Sequence, residues 1–309
     1  MDGTLSDSSA SLEDITIDLP GLPHTFVQAM ELSKNADEIT IDAVVDIIQN
    51  DPIATTRILS IVNSTYYAMR YEVTTIRKAV IVLGPGTVIS VLMSMSLIDL
   101  RTALDASLPI PFIDLVRHSI ATAFLARQVS SISILAKMET EEDDIMNSAF
   151  TLGLLHDFGK LVLIHNFPEK AVAIYNDIVP FTTKDEELLE REKAAFGFDH
   201  TQMGAYMMRQ LKMPESLCKL IEAHHSLQPP DDMSHPMRIM HGVLKLSNRL
   251  ASNLGYKYNR DVGSGSLYED PLVDLLLEEK VFEVTNKEAL FDEIWNLKAV
   301  LKEYVEAVV

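Results

Sequence analysis

From Phe26 onward the apolar residues recur at three- and four-residue intervals, the spacing of one face of a helix. Phe26, Met30 and Leu32 are followed by Ile41, Val44, Val45 and Ile48. Asn50-Asp51-Pro52 reads as a helix start, with Asp51 able to cap and Pro52 suited to the first helical position. The helix it opens carries Ile53, Thr56, Ile58, Leu59 and Val62. Another runs up to Leu83 and stops at Gly84, and a long one is expected from about Thr87 to Leu104. The segment Ala106-Ser107-Leu108-Pro109-Ile110-Pro111 reads as a linker between two helical bodies.

Helical spacing returns from Phe112 to Val129. Glu139 to Asp144 reads as an acidic loop, with Asp144 a cap for a helix ending near Leu155. Further helices are expected at Glu186–Phe196, His200–Leu211, Glu215–His224 and Pro236–Leu254. After the loop Gly263-Ser264-Gly265-Ser266, Val273, Leu276 and Leu277 and then Ile294, Leu297 and Leu301 suggest two amphipathic helices packed on the body. No run alternates with period two, Val281–Val284 being too short, and no fixed-period repeat or heptad series occurs. The expected class is all-α. The parts are a loose leader at 1–14, an N-terminal helical subdomain at 15–105, a helical bundle at 112–255 and an acidic helical extension at 256–309.

Composition narrows the function classes. The 309 residues carry 45 acidic and 26 basic side chains, a formal net charge of -19, and 47% hydrophobic residues, ample for a buried core. Such acidity argues against broad binding to nucleic acid or anionic membrane, and the basic residues form no stripe. From Leu267 to Val309 there are 11 acidic and 4 basic side chains, a local charge of -7. This is a solvated acidic face or an interaction surface. The most apolar stretch, Val80–Leu100, is cut by Gly84-Pro85-Gly86 and interrupted by Ser90, Ser94, Ser96 and Asp99. It falls short of the about 20 apolar residues that span a bilayer. The first ten residues lack the positive and apolar regions of a signal peptide. With a single cysteine, Cys218, the expected location is the cytoplasm.

Candidate chemistry gathers on histidine. His156-Asp157 follows the apolar run Phe150–Leu155, with Gly159-Lys160 directly after. An imidazole beside a carboxylate suits metal chemistry, since the ring binds one ion and the carboxylate can bridge to a second. His224-His225 is a second pair at a helix end, His200 opens another helix, and His118 lies on an otherwise apolar helix. Each has a plainer reading. His118 can be a satisfied core histidine, His200 beside Asp199 a capping residue, and the pair a coincidence. His24, His165, His235 and His241 stand apart and read as surface or packing residues.

At these residues the sequence resembles the HD superfamily, and specifically its HDOD branch (HD-related output domain). The likeness begins with Leu19-Pro-Gly-Leu-Pro23, Asn50-Asp51-Pro52 with Arg57-Ile58-Leu59, Val62-Asn63-Ser64 with Tyr66-Tyr67, and Ile76 to Gly84. It continues through Gly153–Lys160, Glu192 with Phe196-Gly197, His200 with Gly204, Met213-Pro214 and His224-His225. The resemblance implies an N-terminal helical subdomain packed on an HD-like helical bundle. It also implies the metal ligands of catalytic relatives at His118, His156, Asp157, His200, His224 and His225. The last ligand of those relatives is an aspartate, and Asn248 stands in its place. A neutral amide is a poorer cation ligand and cannot take a proton as a carboxylate does. With Asp157 the sole anion among imidazoles, the set favours one or two Fe, Mn, Zn or Ni ions over Mg or Ca. The Gly-Tyr-Pro signature of cyclic-di-GMP phosphodiesterases is absent, since Phe158-Gly159-Lys160 follows Asp157.

Two functions follow from the resemblance. The first is a stand-alone, non-enzymatic signalling or regulatory module acting through protein partners. The second is a metal-dependent phosphohydrolase for a nucleotide or other phosphoester, with Asp157 at the reacting centre and Lys160 against a substrate phosphate. Asn248 favours the first. Cys218, within an apolar helical segment, reads as an inert core thiol.

Overall fold

The computed structural model describes residues 24–34, 39–49, 51–64, 69–99, 110, 112–138, 148–175, 185–256, 267–295 and 297–309, with residues 12, 17 and 67. The leader at 1–14 (Leu12 apart), most of the linker at 106–111, the acidic loop with Asp144 and the 263–266 loop lie outside the described residues. The described chain is helical, and its one β-type pairing is an isolated bridge between Ser133 and Phe282.

The first five helices are α1 (His24–Ser33), α2 (Ile41–Ile48), α3 (Pro52–Val62), α4 (Ile76–Leu83) and α5 (Pro85–Asp99). Thr40 caps α2 by accepting from the Ala43 amide. Asp51 caps α3 by accepting from the Ile53 and Ala54 amides, with Pro52 at its first position. The Asn63 side chain receives the Val73 amide and donates to the Val73 carbonyl, both at 2.8 Å, closing the connection that leads to α4. Helix α4 ends at Gly84, whose φ of 82° is open to glycine at little cost. The chain then turns by 107° into α5.

Helix α5 is buried on every side from Thr87 to Leu97, so it carries no polar stripe. Its serines are tolerated because their hydroxyls donate one turn back: Ser90 to Gly86, Ser94 to Ser90 and Ser96 to Leu92. It begins at Pro85, two residues before the expected start. No single described helix is long and apolar enough to cross a membrane.

The next group of helices is α6 (Phe112–Ser131), α7 (Ala149–Leu155), α8 (Phe158–Asn166), α9 (Pro168–Tyr175), α10 (Asp185–Phe196), α11 (His200–Gln210), α12 (Glu215–Ala223) and α13 (His235–Asn253). Its centre is α6, flanked by α7 and α13, while α11 packs between α8 and α12. The C-terminal segment carries α14 (Pro271–Glu278), α15 (Lys287–Trp295) and α16 (Leu297–Val308). Helix α16 touches α3, α5 and α6, and Arg57 of α3 donates to the Val308 carbonyl.

Candidate metal centre

Two close helix crossings fix the centre. Helix α7 is buried along its whole length and ends at His156. Gly153 lies so close to α6 that a Cβ would stand 2.7 Å from Cα of Ala123. After the turn at Asp157, α8 starts against α11, where a Cβ on Gly159 would stand 1.9 Å from the His200 carbonyl oxygen. Asp157 is thereby held between α6, which carries His118, and α11, which opens with His200. The end of α12 supplies His224 and His225.

The donor atoms of His118, His156 and Asp157 lie within 4.8 Å of one another, as do those of Asp157, His200, His224 and His225. Asp157 belongs to both sets. Its Oδ2 lies 3.4 Å from His156 Nε2 and 3.9 Å from His118 Nε2. Its Oδ1 lies 3.3 Å from His200 Nε2 and 3.7 Å from His224 Nε2. His118, His156, Asp157, His200 and His224 are all buried, and His225 is half-buried. His118 is in the body of α6 rather than near a helix end, so its neighbours are known only from the packing of α6.

The far nitrogens determine which tautomer faces inward. Nδ1 of His118 donates to the Tyr256 carbonyl at 2.7 Å, Nδ1 of His156 to Gly153 at 2.8 Å and Nδ1 of His224 to Ile221 at 2.6 Å. Burial holds all three rings below the usual imidazole pKa, against the opposing pull of Asp157. Neutral and protonated on Nδ1, they turn Nε2 lone pairs toward a carboxylate. Nε2 of His156, Nε2 of His224 and Oδ1 of Asp157 are buried without a well-aligned hydrogen bond. Acceptors facing acceptors at 3.4–3.7 Å are costly unless a cation lies among them. The donor set therefore fits a metal ion.

His200 is different. Its Nδ1 and its amide both bond Oε2 of Glu192, at 2.7 and 2.8 Å, and Tyr175 donates to the other carboxylate oxygen at 2.8 Å. Burial alone would lower the His200 pKa, but the Glu192 carboxylate overrides it and raises it to about 9. Without a cation the ring carries a proton toward Asp157. Glu192 is thus the outer partner of a ligand, fixing its orientation and basicity. The only signal for this in the sequence was its place among the family-like positions; nothing in the spacing links it to His200. Asp199, the neighbour of His200, is the cap of α11, joined to Gln202 in a capping box, while His200 itself points inward.

Lys160 is buried, and its Nζ donates to Asp157 Oδ2 at 2.8 Å. Burial would raise the Asp157 pKa, but His156 and Lys160 hold it well below the usual range. Asn248, on α13, reaches the His118 ring with its side chain. His241 is buried and donates from Nε2 to the Ala223 carbonyl at 3.0 Å, one residue before the His224 pair. Cys218 is fully buried, and burial pushes its thiol up to about 11, as suits an inert core residue.

The sequence profile of the HDOD domain matches residues 19–227. The chain belongs to the HDOD family. Its fold is similar to that of an HDOD-domain protein from Geobacter sulfurreducens, at 20% identity and a TM-score of 0.67, covering 94% of this chain and 93% of that one. A protein from Marinobacter aquaeolei assigned to signal transduction matches at 22% identity and a TM-score of 0.68, over 94% of this chain and 60% of its own. A protein from Shewanella amazonensis assigned as a phosphohydrolase matches at 20% and 0.64, over 94% and 95%. A curated relative from Treponema pallidum is 23% identical over 229 residues, 74% of this chain, and the chain spans 42% of that relative's length. At these identities the structural likeness establishes the HDOD helical fold.

Proposed function

We propose that this HDOD protein is a signalling or regulatory module that acts through protein partners and carries a buried transition-metal centre. The observation that supports the metal is the inward-facing Nε2 atoms of His156 and His224 around Asp157. His118, His156, Asp157, His200, His224 and His225 would hold one or two ions of Fe, Mn, Zn or Ni. Five of the six ligands are buried, His118 the most open of them at 5% exposure, and only the half-buried His225 leaves a substrate room to approach. Lys160 is spent on Asp157, and Asn248 supplies no charge. Signal-transduction and phosphohydrolase assignments both occur among the structural relatives.

The second reading, a phosphohydrolase acting on a nucleotide or other phosphoester, rests on the two ligand sets that share Asp157. A bound ion would lower the pKa of a water and polarise a phosphoryl group. In that reading Asp157 joins the two sets, Glu192 orients His200, and Lys160 neutralises the carboxylate.

Elemental analysis of the purified protein beside a His156→Ala, Asp157→Ala double variant tests the metal. Metal in the parent and its loss in the variant are expected, and a metal-free parent after reconstitution refutes the centre. A panel of nucleotides and phosphoesters, run on metal-loaded parent and on Asn248→Asp, separates the readings. Inactive parent protein is expected, and turnover by the parent would establish the second.

A further inference from the structure

A second polar cavity lies away from the metal centre, where the first five helices meet the next group. Its volume is about 650 Å³, within the range of small-molecule sites. The Gly84–Thr87 turn and the start of α5 form one side, Arg127 and Ser130 of α6 another, and the first turns of α7 a third. Among the described residues of the lining, Arg127 is the one full charge and no carboxylate is present. Arg127 Nη1 donates to Thr87 Oγ1 at 2.6 Å, which holds the guanidinium beside the N-terminus of a 15-residue helix.

One further observation points to a ligand. A Cβ on Gly86 would meet nothing within 4 Å, so the backbone of the first turn of α5 faces open space. Thr151 lines the cavity at 7% exposure. First-turn amides beside an Arg fork suit an anion with several oxygens. The cavity is larger than a bare phosphate needs, and Ile39, Leu83 and Phe150 add apolar wall for an organic body.

We propose that this cavity binds a small phosphomonoester, its phosphate at Gly86, Thr87 and Arg127 and its organic part against Ile39, Leu83 and Phe150. The site is independent of the metal reading. It is tested by calorimetric titration in the His156→Ala, Asp157→Ala background, so that phosphate taken up at a metal is removed from the signal. The probes are inorganic phosphate, adenosine monophosphate and adenosine.

Saturable binding of the monophosphate, competition by inorganic phosphate and no binding of adenosine are expected. Arg127→Met and Gly86→Asp should each weaken the monophosphate at least about tenfold. Gly86→Asp places a carboxylate in open space and disturbs no packing, which covers the case in which Arg127→Met loosens the fold. No binding of either phosphate probe up to about 10 mM overturns the proposal. So does binding that Gly86→Asp leaves unchanged, or binding seen only when the metal ligands are intact.

Discussion

Gly159→Ala offers a sharp test of how the centre is held. Gly159 lies at the second position of α8, where a Cβ would stand 1.9 Å from the His200 carbonyl oxygen, 2.7 Å from the Gly204 nitrogen and 2.8 Å from the His200 carbonyl carbon. All three are backbone atoms, so no rotamer change relieves them. Restoring even a 3.0 Å contact needs α8 and α11 to separate by more than an ångström. An alanine in a helix interior ordinarily gains about 1 kcal/mol over glycine, whereas overpacking costs about 1–3 kcal/mol. With backbone on both sides the cost lies at the upper end, leaving a net loss of about 1–2 kcal/mol. For a chain of this size that lowers the melting temperature by on the order of 2–4 °C per kcal/mol. Metal binding suffers more. Asp157 and His200 flank the crossing at 3.3 Å, and coordination tolerates only about 0.2 Å of error, so occupancy should fall at least about tenfold. The measurements are thermal melting by far-UV circular dichroism and metal content by elemental analysis. Gly86→Ala is the control, since its Cβ meets nothing and its stability should stay within about 0.5 kcal/mol of the parent. If Gly159→Ala melts and binds metal as Gly86→Ala does, the crossing does not hold the centre.

Three other outcomes follow from named groups. Glu192→Gln removes the charge that orients His200 and should weaken metal affinity about 10–100-fold in a competition assay with a chelator. Tyr304→Phe removes a buried hydroxyl with no hydrogen-bond partner, where the ring packs 4.9 Å from that of Phe124, and should raise stability by about 1 kcal/mol in urea unfolding. Burial lowers the His241 pKa from 6.5 to about 4, so the unfolded chain binds the proton more tightly and stability is lost as pH falls between those values. The effect approaches about 3 kcal/mol, and His241→Gln should flatten that part of the pH profile; an unchanged slope would exclude His241 as its source.

Local chemistry was legible in the sequence wherever neighbours along the chain decide it. Asp51-Pro52 starts α3 as its residue types dictate, Gly84 ends α4, and the helices expected at Phe112–Val129, Glu186–Phe196, His200–Leu211, Glu215–His224 and Pro236–Leu254 fall within a few residues of those bounds, whereas α8 and α9 were not anticipated. The serines of Val80–Leu100 marked this stretch as a core helix pair rather than a span, and their bonds to the preceding turn explain why. Pairings across the fold were not legible from periodicity. His118 meets His156 because Gly153 lets α6 and α7 touch, and Glu192 meets His200 through the return of α10 onto α11. His241 has an apolar neighbourhood that resembles ordinary packing, and only the structure places it under the His224 helix end.

The last helix has a consequence for the order of assembly. Arg57 and Val308 bond across a sequence separation of 251, and α16 seats on α3, α5 and α6 together. During synthesis the first helices leave the ribosome long before their partner exists. Val62 and the apolar faces around it must wait, or pair elsewhere, until residue 308 has been made. Closure of so long a loop is slow, and species lacking it expose aggregation-prone surface. Seating of this last helix on α3, α5 and α6 is therefore a late step of folding, and α3 and α5 are the part of this chain left uncovered in the meantime.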